Sequence, residues 1–117
     1  MGQYFRLINL DKREYVDPWD VGGAAKLWEW CANNQCRAIP FLLRQSSEGG
    51  GGDVRRDYAL ASRWAGDRIA LVGDYDESNL FDTAKEQFIN ISKQLVEEFN
   101  HFIEIDDMKL EYRDTTK

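Results

Sequence analysis

From Asn79 to Ile105 the chain carries neither glycine nor proline, and Phe81, Ala84, Phe88, Ile91, Leu95, Phe99 and Phe102 recur at steps of three and four. That spacing draws one apolar stripe along a helical backbone, and a stripe of large side chains must be buried against another element. At about 1.5 Å per residue, a helix of about 25 residues is about 37 Å long, more than the diameter expected of so small a domain. The stripe nevertheless keeps its phase throughout, which favours one continuous helix. A break at Asn90-Ile91-Ser92 is the alternative, with Ser92 capping a second helix and Ile91 and Val96 forming a hydrophobic staple.

A sheet is the natural cover for such a stripe. Residues 3–9 alternate in polarity, and 13–16 follow the polar turn Asp11-Lys12, so the two segments predict a hairpin that Asp17-Pro18 ends. Residues 38–44 form an apolar run that reads as a strand, with Pro40 placing it at an edge or a bulge. Residues 68–73 contain Ile69, Ala70, Leu71 and Val72 without interruption, the pattern of a central strand covered on both faces. Met108, Leu110 and Tyr112 alternate with Lys109, Glu111 and Arg113 as a last strand over 108–113. Between hairpin and apolar run, residues 24–32 predict a shorter helix with Ala24, Leu27, Trp28 and Cys31 on its buried side and Trp30 off it. The fold class expected is α+β: a four- to five-stranded, mostly antiparallel sheet packed against one long C-terminal helix and a shorter helix. Residues 1–113 are expected to form a single domain, with a frayed tail at 114–117.

Fifteen Lys and Arg stand against 21 Asp and Glu, a net charge of −6, which disfavours nucleic acid and anionic membranes as partners because both need a positive patch. No stretch reaches the roughly 18 apolar residues of a membrane span, and the opening residues lack the charged start and apolar block of a signal peptide, so a cytoplasmic protein is expected. Gly2 invites acylation, but Arg6 stands where that motif wants Ser or Thr. Cys31 and Cys36 have no second pair or adjacent His to complete a zinc site, and read as structural thiols before a redox pair.

Three segments are candidates for chemistry. Gly49 to Gly52 followed by Arg55 and Arg56 combines backbone amides with two guanidinium forks, a cradle for a small anion such as a nucleotide, although the spacing of a phosphate-binding loop is missing. Asp74, Asp76 and Ser78 alternate like the opening ligands of a calcium loop, so a divalent cation is the only cofactor with any support; Asn79 and Lys85 then break the pattern. Trp64, Asp67 and Tyr75 flank the strand at 68–73, and with Asp74 and Asp76 they could line a site at its ends. His101 is the only histidine, and no catalytic motif accompanies it.

The segments Met1-Gly2-Gln3-Tyr4-Phe5 with Asn9-Leu10-Asp11-Lys12, and Arg63-Trp64-Ala65-Gly66-Asp67 with Val72-Gly73-Asp74-Tyr75-Asp76, resemble those of an uncharacterised group of small microbial and viral proteins. The similarity spans about the first 80 residues. It implies a free-standing small protein and assigns no catalytic or ligand residue. With aromatic residues at 13% of the chain, the expectation is a small acidic, non-enzymatic binding protein, an inhibitor or adaptor that engages a basic protein surface. Its contacts would come from Trp30, Arg55, Arg56, Trp64, Asp67 and Tyr75. The alternatives are a binder of a small anion at Arg55 and Arg56, and a divalent-metal enzyme using Asp67, Asp74 and Asp76.

Overall fold

The computed structural model describes residues 2–115. The hairpin forms as expected from β1 (Phe5–Asn9) and β2 (Glu14–Val16), with Leu7 opposite Val16 and Asn9 opposite Glu14. Its turn is held by Asn9, whose Oδ1 accepts the backbone N–H groups of Asp11 and Lys12. The chain then passes through a short helix α1 (Leu27–Ala32), a 3-10 turn and a second short helix α2 (Ile39–Leu43). A long loop leads to β3 (Ile69–Gly73), followed by α3 (Leu80–Gln87), β4 (Ile89–Asn90) and α4 (Ser92–Ile103). The result is an α+β fold whose four-stranded mixed sheet has the order β3-β1-β2-β4. β1 is antiparallel to both neighbours, whereas β2 and β4 run parallel.

Alternation along the strands divides the core in two. Leu7 and Val16 face one side, packed with Trp30, Leu42, Trp64, Leu95 and Phe99 beneath α2 and α4. Ile8, Tyr15 and Val72 face the other, against Ala84 of α3. The two halves of the 79–105 stripe therefore cover opposite faces of one sheet, and the continuous helix is replaced by the break. Two backbone bonds enforce it: Ile89 N–H donates to Arg13 O at 3.0 Å and Ile91 N–H to Tyr15 O at 3.0 Å. Ser92 does not act as the expected cap; its buried Oγ accepts Asp17 N–H instead, and Asn90 Oδ1 accepts Ser92 N–H.

Four further expectations are corrected. Residues 39–43 are helical, and Pro40 fits because it occupies the first turn, where its missing N–H costs nothing. Residues 108–113 form no strand: Met108 ends a 3-10 turn and the rest joins no ladder. The Asn100 side chain serves Leu110 as a strand neighbour would, donating to its C=O and accepting its N–H, both at 2.7 Å. β3 lies at the sheet edge, and the central positions belong to β1 and β2. Helix α1 turns the other way round: Trp30 is buried, while Trp28 is 64% exposed and Leu27 and Cys31 are also exposed. With only six residues, α1 has too few turns for periodicity to fix its inner face, and Trp30 is drawn inward by its Nε1–H bond to Phe5 O at 3.1 Å.

Before α1, Gly23 lies against the buried Gln35 side chain, which leaves no room for a Cβ there. In the expected frayed tail, Thr115 is tethered through its hydroxyl to Asp20 at 2.6 Å, and residues 116–117 lie outside the described residues. Among the described residues no helix is long and apolar enough to cross a membrane.

Candidate functional site

Trp64 is fully buried, so it is not available as a contact residue. Its Nε1–H donates to Glu14 Oε1 at 2.8 Å, and Arg63 grips the same carboxylate through Nε and Nη2. Glu14 itself is buried on β2. Burial acts to raise its carboxyl pKa, and the hydrogen bonds from Arg63 and Trp64 outweigh that effect, leaving it below the ordinary value. Trp30 is likewise removed from the contact set by burial.

Asp67 is a clasp between β1 and β3. Lys12 Nζ and Asn9 Nδ2 both reach its Oδ2, and these two bonds, the Lys12 bond first, hold its carboxyl below the usual range. Arg68 pairs with Asp11 at the same end, and Tyr4 N–H donates to Asp74 Oδ1 at the other. The segments at 4–12 and 67–74 are thus hydrogen-bonded to each other across β1 and β3. Asp76 Oδ2 accepts Ser78 N–H within the turn that leads to α3. Among the described residues no group of three or more His, Cys, Asp or Glu is placed to hold a metal ion. Asp67 lies before β3 in the grip of Lys12 and Asn9, while Asp74 and Asp76 follow the strand's other end, so the three carboxylates do not converge.

Beyond these clasps, β3 presents an open edge. Leu10 N–H bonds to Arg68 O and Asp74 N–H to Tyr4 O, so the even-numbered residues of β3 turn their backbone groups toward β1. The N–H and C=O groups of Ile69 and Leu71 consequently point away from the sheet, and no hydrogen bond among the described residues takes them up. Beside them runs a groove of about 490 Å³ walled by Phe5, Leu71, Leu80 and Tyr75. Tyr75 is 62% exposed, with its hydroxyl on Gly2 O. Asp74, Asp76, Glu77 and Asp82 are all exposed around this end. Sequence reasoning placed Tyr75 and the acids correctly beside β3, but read the strand as central and so missed its free edge.

A second concavity, of about 360 Å³, lies between α2, α4 and the loop at 53–54. Phe41 and Phe99 form its buried base, Phe102 and Ile103 its half-buried wall and Met108 its exposed lip. Arg44 stands at its side, held by Asp53 through Nε and Nη2 and by Ser62 Oγ. A neighbouring hollow shares Asp53, Phe102 and Ile103 with it and adds Arg55, Arg56, Tyr58 and Glu104. Arg55 and Arg56 are exposed and make no ion pair or side-chain hydrogen bond among the described residues. Gly50, Gly51 and Gly52 all have positive φ with nothing near a Cβ position, so these glycines serve the turn and not a close approach. Tyr58 Oη lies 2.9 Å from His101 Nδ1 on the same rim.

The thiols of Cys31 and Cys36 are both free. Burial first, then the neighbouring Cys31, pushes the Cys36 thiol up, away from the thiolate that redox chemistry needs. No protein-family model, curated protein or solved structure matches the chain.

Proposed function

We propose that this is a small acidic, non-enzymatic binding protein that receives an extended, basic segment of a partner protein as an added strand on β3, acting as an inhibitor or adaptor by occupying that segment. The observation that carries the reading is the unclaimed hydrogen-bonding edge of Ile69 and Leu71 beside an apolar groove. Backbone bonds supply affinity in strand addition, and flanking side chains supply selectivity. Here the flanks are apolar at Phe5 and Leu80 and acidic at Asp74, Asp76 and Glu77, so alternating apolar and basic side chains complement them.

Titration of isotope-labelled protein with a short peptide of alternating lysine and valine tests this. The largest amide shifts are expected at Ile69 and Leu71, with affinity falling as salt rises. The double substitution Asp76→Lys, Glu77→Lys should weaken the peptide about fivefold, the size of two exposed ion pairs. Equal binding of an alternating glutamate and valine peptide, or shifts confined to another surface, would overturn the proposal.

A further inference from the structure

We infer that the cavity between α2 and α4 is a binding site for a small aromatic carboxylate. The inference is independent of the β3 edge, which lies in another part of the fold.

Its first support is the apolar end. Phe41, Phe99 and Phe102 are mutual neighbours with ring centroids 5.4 to 6.5 Å apart, and the Phe41 and Phe99 rings stand at 86°. Such a wall presents both ring edges and ring faces, the geometry that a flat aromatic guest prefers. Met108 adds a polarisable sulfur at the lip. A volume of about 360 Å³ lies at the small end of the range for ligand pockets, which suits a compact ring system better than a long chain.

Its second support is charge. The chain as a whole is acidic, yet the cavity and the hollow that continues it carry four arginines against the carboxylates of Asp53 and Glu104. Arg44 is paired with Asp53 and also bonds Ser62 and Glu48 O, so Arg44 and Asp53 act as a neutral wall. Arg37 gives one bond to Asp107 O at 3.2 Å, and Arg55 and Arg56 give none among the described residues. Their forks are free to receive a carboxylate in two-point fashion. A guest with its ring against Phe102 and its carboxylate toward Arg55 and Arg56 would satisfy both ends of the site.

Calorimetric titration of the full chain with 2-naphthoate, 2-naphthalenemethanol and 2-naphthylmethylammonium tests the assignment. The carboxylate is expected to bind at least fivefold more tightly than the neutral alcohol, and the cation more weakly than either. The exposed double substitution Arg55→Glu, Arg56→Glu should abolish the margin of carboxylate over alcohol while leaving the alcohol's affinity and the thermal midpoint unchanged. In methyl spectra, ring-current shifts should fall on Ile103 and Met108. The assignment is overturned if 2-naphthoate does not bind, if the cation binds as well as the carboxylate, if the double variant keeps the margin, or if the shifted methyls lie elsewhere.

Discussion

Glu14 shows how much one buried side chain can organise. It sits on β2 and holds Arg63 and Trp64, so one carboxylate ties two neighbouring residues of the loop that precedes β3 to the sheet. Replacing it with Gln leaves Arg63 without its counter-charge; because the Arg63 side chain is 40% exposed and draws on water, the cost is about 1 to 2 kcal/mol, less than for a fully buried pair. The pH dependence has a definite sign. Because the folded carboxyl lies below its ordinary value of 4.5, its stabilisation is present above that pH and lost as pH falls through the folded value. Denaturant titrations from pH 6 downward should therefore show Glu14→Gln less stable at the top and losing less on acidification. Asp17 works the other way. Burial first and Asp20 second push its carboxyl up, so its contribution to stability falls as pH rises from the ordinary value through the raised one. The partners of these acids were not legible in the sequence, since Arg63 and Trp64 are about 50 positions from Glu14 and no local pattern links them.

At the scale of elements, the hairpin, β3 and the helical character of 80–103 were legible because each follows a local period. The errors fall where a tertiary partner overrides that period. Asn100 stands in for a neighbouring strand at Leu110, and β2 claims the backbone of residues 89–91 from the middle of an otherwise helical stripe. Length did not cause the break, since the molecule's longest axis is 43 Å. The approach to α1 gives a test of the same point. Gln35 is buried against Gly23 and accepts Ala24 N–H, so a methyl group at residue 23 has to displace a satisfied polar side chain. Gly23→Ala should cost about 1 to 3 kcal/mol by this overpacking, read as a lower midpoint in urea. The same substitution at Gly51 meets open space and only the penalty of a positive φ, so it should cost less.

For the whole molecule, the two-faced sheet predicts unequal responses to the same chemical change. Leu95 lies in the larger core under α4, whereas Phe88 is only partly buried beside the smaller one. Leu95→Asp should unfold the protein and abolish its cooperative melt. Phe88→Asp should leave a cooperative melt at a lower midpoint, because its carboxylate can reach water. Comparable melts for the two variants would contradict the division of the core. That division also has a topological consequence. To bring α3 and α4 to opposite faces, the chain must cross the rim of the sheet, and it does so as β4, a strand of only two residues. One rim thus ends in a strand too short to template much pairing, and the other, along β3, offers five residues. Copies of the chain that met along β3 would pair two-fold and leave only the two-residue β4 at each outer rim, a poor template for a fibre.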